Sequence, residues 1–586
     1  MSTKKNIICS KDAKDYLNKE KPAETPQIGF YVYILCFVAV IGGFLFGYDS
    51  AVVSSAMLYI PDADGMKKLS VIWKQLIVSI TPGLAAIGAL LAAPSSDHFG
   101  RKKVIIFSSL VFTIGGIVCA VSPEKITLFF GRMLLGLAIG LSSVIVPVYV
   151  GETSPAYMRG FLLTAFQVMI CFGEMSASLI SGAFSYIDPE KVGWRLMMGF
   201  TSVPSFIQLV GFLFLPESPR YLFKKGQEIL TKKAIFVLSK IYKNDLNWVE
   251  YEKAEIARVC QQELEAKATA TNEIVIVRML KTRHVRKALI IGCLLQMFQQ
   301  LCGINAIMHE FFFLGTFVPL FLIDKFGRRL LLLISVAGVD VALFLTAVAF
   351  LLINRDSDLV NTEVASEYNI TDSSCFGYSN CDYCVTDDNC GFCYLKDSDI
   401  LGQCLPVNDD DSDLSTVGWC STADTNFTFH NEYCTTKYTA MPIVAIIIYI
   451  FFFAIGFAPL AWALNAEFHP LWARSSGCAL STFTNWFFSL IISLTFLSLS
   501  TAITKYGVFF IYAGITFVAF FFVLKFIPET TGIGIEDVEL LFMDETTRKK
   551  VIAEREKSNG EKEEETLEKK INHQKSISEN SANIKY

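Results

Sequence analysis

Charge is scarce in this chain. Only 18% of its 586 residues are charged, against roughly a quarter in a soluble domain, so much of the sequence is unsuited to a water-facing surface. Histidine is rarer still. The six copies are scattered and no HExxH, GxSxG or P-loop pattern occurs, which leaves the common metallohydrolase, serine-hydrolase and nucleotide-binding readings without a motif. The formal net charge of −5 says little, because it averages basic loops with an acidic one, and no nucleic-acid partner is expected. No enzyme is indicated, and no cofactor or resident metal is called for. What is abundant is apolar: 52% of residues are hydrophobic, Phe alone occurs 49 times, and the mean hydropathy is +0.44.

A helix crossing a bilayer needs about 20 apolar residues. Runs of that kind lie at 30–58, 75–94, 104–121, 128–150, 161–184 and 194–215, then at 288–308, 311–323, 330–353, 440–464, 476–499 and 508–527. The twelve candidates fall six on each side of a polar stretch, and 311–323 is too short. The chain therefore divides into an N-terminal segment (1–29), a first membrane half (30–216), a polar helical segment (217–287), the opening of a second half (288–353), a polar loop (354–438), three last spans (439–527) and a tail (528–586). Within the polar helical segment Ile229, Ala234, Val237, Leu238 and Ile241 are spaced for short surface helices. The tail beyond Glu539 is expected to be disordered.

Three motifs occur twice, in the same order. Asp97-His-Phe-Gly-Arg-Lys102 returns as Asp324-Lys-Phe-Gly-Arg-Arg329. Glu152, Pro155 and Arg159 are answered by Glu467, Pro470 and Arg474, and Pro216-Glu-Ser-Pro-Arg220 by Pro528-Glu-Thr-Thr531. Paired motifs mean a duplicated membrane unit, the build of many secondary transporters. Basic residues, among them Arg101, Lys102, Arg159, Arg220, Arg328 and Arg474, gather in alternate loops with Lys4, Lys5 and Lys11, which predicts that those loops and both termini are cytoplasmic. No cleaved leader is expected, and the plasma membrane is the expected location.

The loop 354–438 then lies outside. It holds sixteen Asp and Glu against three Lys and Arg, and eight of the sixteen cysteines: Cys375, Cys381, Cys384, Cys390, Cys393, Cys404, Cys420 and Cys434. An even cysteine count on the oxidising side predicts disulfides, with 105 pairings open. The two CxxC units would alternatively suit zinc. Asn369-Ile-Thr and Asn426-Phe-Thr are glycosylation acceptors in the same loop.

Asp49 and Arg132 are charges set inside apolar runs, where an ionisable group is costly and marks a pathway or a partner. As opposite charges they can pair, and proton uptake by Asp49 would release Arg132 and shift the balance between outward- and inward-open forms. The alternative is a static pair that fixes packing. Three amides stand close together at Gln299, Gln300 and Asn305; one such amide in a span can be helix–helix glue, but that does not account for all three.

Gly-Phe-Leu-Phe-Gly-Tyr-Asp49, Gly131-Arg132-Met-Leu-Leu-Gly136, Pro216-Glu-Ser-Pro-Arg220, Gln299-Gln300-Leu-Cys-Gly-Ile-Asn305 and Asn465-Ala-Glu467 closely resemble the marks of the sugar porters of the major facilitator superfamily, over nearly the whole chain. The stretch Cys381–Tyr394 resembles a plexin–semaphorin–integrin (PSI) cysteine module carried by proton-linked cyclitol members of that family. The resemblance implies an all-α membrane protein with two six-helix halves and a Cys-rich extracellular loop. It implies proton-coupled secondary transport of myo-inositol or a related polyol or hexose by alternating access. A facilitative hexose transporter, a non-transporting sensor and an inactive splice form are the alternatives. It further implies that Gln167, Gln299, Gln300, Asn305 and Asn485 line the cavity with Trp462 as a stacking platform and Phe46 nearby. Gating networks would use Asp97, Arg101, Glu152, Arg159, Glu217 and Arg220 in one half, and Asp324, Arg328, Glu467, Arg474 and Glu529 in the other.

Four features depart from the family pattern. Asp49 and Asp97 are 48 residues apart, but Asn305 and Asp324 only 19, so about 29 residues are missing after Met308 and the seventh and eighth spans are truncated. Ala458 and Ala461 stand where Gly and Pro are usual, predicting a tenth span that bends less. Thr531 stands where the family usually has Lys. Glu174 replaces an amide in the fifth span, a possible additional proton or substrate site.

Overall fold

The computed structural model describes residues 29–304, 326–361, 374–530 and 538–550, with short breaks inside those stretches. Six long helices form the first half: α1 (Phe30–Ala56), α2 (Val71–Phe99), α3 (Arg101–Ala120), α4 (Lys125–Thr153), α5 (Arg159–Phe184) and α6 (Pro189–Phe214). The second half contributes α7 (Arg283–Leu301), α8 (Arg328–Asp356), α9 (Ala440–Glu467), α10 (Arg474–Ile503) and α11 (Lys505–Phe526). Ten of these helices are long and apolar enough to cross a membrane. The exception is α7, whose first turns carry Arg283, His284, Arg286 and Lys287. The short run 311–323 lies outside the described residues.

Each half has its own core. In the first, α2 and α3 pack on α4, α1 on α5, and α6 on α3; in the second, α8 packs on α9 and α11, and α7 on α10. Side chains cross between them in both directions: Trp486 of α10 joins the first core, and Cys171 of α5 joins the second. The helix pair α2 and α10 runs along the boundary, where the Gln75 amide donates to Ser498 Oγ at 2.8 Å. Between the halves the polar segment folds as short helices, Pro219–Lys224, Glu228–Ile241, Leu246–Ala268 and Val275–Lys281. Ala234, Val237, Leu238 and Ile241 are buried as their spacing predicts, whereas Ile229 is exposed.

Two expectations need correction. The tail past Glu539 does not simply leave the fold. Val538–Phe542 forms a 3-10 turn that buries Val538, Leu540 and Phe542, with the Phe542 ring 5.2 Å from that of Phe468 and His284 Nε2 2.6 Å from a Glu539 oxygen. The apolar run at 540–543 supplies the burial that the charged residues after it conceal. Nor is α9 a regular helix despite Ala458 and Ala461. A π turn at Phe453–Phe457 interrupts it and Pro459 opens the next turn, a known source of helix irregularity. Ser335 of α8 secures the break, donating to Phe452 O and accepting from the Phe457 amide, both at 2.7 Å.

The loop between α8 and α9 is a small disulfide-held domain. Its sheet has the order β2-β1-β3, all antiparallel, from Cys390–Leu395 (β1), Gln403–Pro406 (β2) and Phe427–His430 (β3). All eight cysteines named from the sequence pair: Cys375 with Cys390, Cys381 with Cys434, Cys384 with Cys404, and Cys393 with Cys420. The CxxC sulfurs are thereby used in disulfides, which leaves the zinc alternative without ligands. The domain sits on the second half, where Asn354 Nδ2 donates to Asp382 Oδ2 at 2.8 Å. Both sequons, Asn369 and Asn426, lie outside the described residues.

Candidate functional site

Two charges meet where α1 and α4 pack together. Arg132 Nη1 donates to Asp49 Oδ1 at 2.7 Å, with the side chains 1% and 0% exposed. Removing two charges from water costs several kcal/mol each, and only close pairing offsets that. The pair is incomplete: Asp49 Oδ2 and Arg132 Nε are buried with no hydrogen-bond partner among the described residues. One carboxylate oxygen is therefore open to a proton while the other holds the arginine.

Arg132 also lines a cavity of about 250 Å³ between the halves. That is room for a small molecule rather than a macromolecule. Phe46, Gln167 and Glu174 line it from the first half; Gln299, Gln300, Trp462 and Asn485 line it from the second. Every described residue named from the sequence as substrate-binding is thus brought to one cavity, and Asn305 lies outside the described residues.

The second-half amides form a mutually bonded cluster. Asn485 Nδ2 donates to Gln296 Oε1 at 2.7 Å and Gln299 Oε1 at 2.9 Å, and its Oδ1 accepts from Gln300 Nε2 at 3.0 Å. Gln299 Nε2 reaches Phe457 O and Ala458 O at 2.9 and 3.1 Å. Those carbonyls lie at the π turn and Pro459, so the irregularity of α9 is what α7 bonds to. Two residues at the site escaped the sequence reading. Gln296 shares the face of Gln299 and Gln300 by its three- and four-residue spacing, a signal that was present. Trp486 follows Asn485 and lines the cavity with its ring 4.9 Å from Phe46; nothing local marked it out.

The repeated motifs bond within each half. Arg101 Nη2 donates to Glu152 at 3.0 Å and Nη1 to Asp97 at 3.4 Å, while Ser218 Oγ donates to Glu152. Glu217 accepts from the amides of Arg101 and Lys102 at 3.0 and 3.1 Å, closing the N-terminus of α3. Burial pushes the Glu217 carboxyl above its ordinary value, against the pull of those amides and of Arg101. In the second half Arg328 Nε donates to Glu467 at 3.2 Å, Thr530 Oγ1 donates to Glu467 at 2.7 Å, and Glu529 accepts from the amides of Arg328 and Arg329 at 3.0 Å. Gly100 and Gly327 explain the invariance of this turn between the copies. Their φ values are 101° and 81°, and a Cβ would lie 2.3 and 2.8 Å from the Glu217 and Glu529 oxygens. Arg220 stands on Pro219–Lys224 and Arg474 opens α10; Asp324 lies outside the described residues, and nothing is described of the Arg159 side chain.

Duplicated halves around a polar cavity, with charges buried beside it, define a secondary transporter of the major facilitator fold. Solved structures agree. A proton:xylose symporter, XylE, superposes with a TM-score of 0.63 at 20% identity, covering 88% of this chain and 99% of that one, and the inward-open form of the E. coli xylose transporter gives 0.60. The sugar (and other) transporter family model matches residues 35–309 and 419–542. The chain belongs to that family. Among curated relatives, the proton myo-inositol cotransporter hmit-1.1 of Caenorhabditis elegans is 48% identical over 92% of this chain and 94% of its own length. The Homo sapiens proton myo-inositol cotransporter is 39% identical over 89% of this chain and 82% of its own.

Proposed function

We propose that this protein is a multi-pass transporter that moves myo-inositol or a related polyol together with protons by alternating access. The observation that carries the reading is the buried Asp49–Arg132 pair, whose arginine lines a cavity that also holds amides and tryptophans. Protonation of Asp49 removes the charge that holds Arg132, and the freed guanidinium then favours a different packing of α1 against α4. That couples a proton to the choice between outward- and inward-open states. The neutral solute binds through hydroxyls to Gln167, Gln299, Gln300, Asn305 and Asn485, with Trp462 and Phe46 against its apolar face. The two motif clusters hold the ends of the spans, and their ion pairs part or re-form as the cavity changes sides.

The motif face is cytoplasmic with both termini, by the distribution of Lys and Arg, and the disulfide-held loop is extracellular, glycosylated at Asn369 and Asn426, in the plasma membrane. The shortfall of about 29 residues between Asn305 and Asp324, judged from the 48-residue spacing in the first half, leaves 311–323 at roughly 20 Å as a helix, short of the ~30 Å apolar layer. This chain therefore transports weakly, and restoring a full span there raises uptake. The test is myo-inositol uptake into proteoliposomes under an imposed proton gradient. Uptake that rises with the gradient and collapses with a protonophore supports the reading. Uptake by the lengthened chain that ignores the gradient would establish a facilitative carrier instead.

A further inference from the structure

The second half opens on a run of cations. Arg278, Lys281, Arg283, Arg286 and Lys287 are five Lys and Arg within ten residues, with no Asp or Glu among them. The opening of the first half, Gly29–Tyr33, holds no charge at all, so duplication does not account for the run. Part of the charge is answered inside the chain. Arg283 Nη1 lies 3.3 Å from an Asp544 oxygen, and the neighbouring His284 pairs with Glu539. Arg286 and Lys287 are exposed, and neither enters an ion pair among the described residues.

Apolar surface adjoins these two cations. Met279 of the short helix Val275–Lys281 is buried in a cluster with Val285 and Leu289 of α7. That leaves Ile276, Val277 and Leu280 exposed, on one side by their three- and four-residue spacing. Arg286 Nη1 donates to Leu280 O at 3.3 Å, which joins that side to α7. One turn further along α7, Ile290 is 50% exposed, beneath Arg286 and Lys287 at spacings of four and three. No charged residue follows Lys287 before the helix ends at Leu301. Ile290 therefore faces hydrocarbon, and Arg286 and Lys287 stand at headgroup depth. Beside them the Arg278 guanidinium lies 4.3 Å over the Trp472 ring, and tryptophan is a residue of that same layer.

We propose that residues 275–287 form a binding surface for anionic phospholipid of the cytoplasmic leaflet. Arg286 and Lys287 hold the acidic headgroup, and Ile276, Val277 and Leu280 lie against the upper part of the acyl chains. The leaflet rests on the cytoplasmic placement of this face given above. A soluble anion would satisfy the cations and leave the exposed apolar side in water; a lipid supplies both chemistries in one molecule. Each cation at an anionic membrane surface changes binding by about fivefold.

The experiment is native mass spectrometry of the purified full-length protein, which counts bound lipid without a transport cycle. Delipidated protein is titrated with phosphatidylserine and with phosphatidylcholine of the same acyl chains. Wild type should prefer phosphatidylserine. R286Q combined with K287Q should weaken phosphatidylserine about twenty-fivefold and leave phosphatidylcholine unchanged, while R286K combined with K287R should keep the preference. K232Q combined with K233Q removes two exposed cations from the helix Glu228–Ile241 and should alter neither lipid. The proposal is wrong if R286Q with K287Q keeps the preference, or if K232Q with K233Q lowers it equally, which would make net charge the cause. It is also wrong if water-soluble glycerophosphoserine displaces the lipid at equal concentration, because the apolar side would then contribute nothing. The topology is tested separately by labelling K281C with a membrane-impermeant thiol reagent. Labelling above the wild-type background in intact cells would overturn the cytoplasmic placement and the leaflet with it, whatever the lipid ratios.

Discussion

In the first half Arg101 bonds Glu152 while Glu217 closes the N-terminus of the following helix; in the second, Arg328 bonds Glu467 while Glu529 does the same. Even the hydroxyl that supports the glutamate is matched, Ser218 in one copy and Thr530 in the other. Toward the cavity the likeness ends. The first half presents Arg132 and Glu174 together with the amide Gln167, and the second presents the amides Gln299, Gln300 and Asn485. Duplication has kept the scaffold at the span ends and let the centre diverge, with the ionisable groups on one side of the cavity lining. On the proposed reading, the titratable group for the proton comes from the first half, and most of the amides for a neutral polyol come from the second.

The comparison can be broken most severely on the amide side. N485A removes the donor to the Gln296 and Gln299 oxygens and the acceptor for the Gln300 side-chain amide, at about 1–3 kcal/mol for each buried oxygen that loses its donor. Polyol affinity should fall by tenfold or more in direct binding, with the Asp49–Arg132 pair untouched. Undiminished affinity would remove the amide cluster from the site.

A loss of similar origin but different place should follow from C384S combined with C404S. This opens a disulfide spanning 20 residues of sequence and costs about 3 kcal/mol of loop-domain stability. Protease sensitivity should rise within 354–438 and nowhere in α1–α6, since the domain rests on the second half.

Smaller effects, matched in place but graded in size, belong to the span ends. E152Q and E467Q each weaken one arginine pairing, and each should lower the melting temperature of the purified protein while sparing polyol affinity. The first should cost more, because Arg101 is 8% exposed in its pair and Arg328 22%, and a more buried ion loses more when its partner goes. Equal shifts would argue that the two clusters are not graded by burial.

The smallest effect at neutral pH concerns His469, between α9 and α10. Burial, with Arg474 adding to it, holds its imidazole down to about 4, from an ordinary 6.5. The unfolded chain thus binds a proton that the folded one refuses between those values, and stability falls as pH drops from 6.5 towards 4. H469F should flatten the melting temperature over that window and leave it unchanged at pH 7.5.

Much of this was legible in the sequence for identifiable reasons. A charge inside a long apolar run is conspicuous, so Asp49 and Arg132 could be matched across 83 residues. The repeated Gly-Arg turn showed the duplication because its positive φ tolerates little else. Other features depend on distant partners. The π turn in α9 is stabilised by Ser335 from another helix, and the alanines at 458 and 461 gave no hint of it. Trp486 gains its place only once α10 meets α1. The cysteines announced disulfides but not their partners, because pairing is settled by the three-stranded sheet and not by spacing. Glu539 lies in a docked turn whose apolar residues are few and local, easily lost beside the charged tail.

The division of labour between the halves rests finally on Asp49. Wild type and D49N, both in the lengthened form, would be compared in proteoliposomes for two quantities: uphill accumulation of myo-inositol under a proton gradient, and exchange of labelled for unlabelled myo-inositol without one. D49N should lose accumulation and keep exchange, because the amides of the second half still bind the polyol while the proton no longer has a carboxylate to occupy. Proton-driven accumulation surviving in D49N would contradict the account.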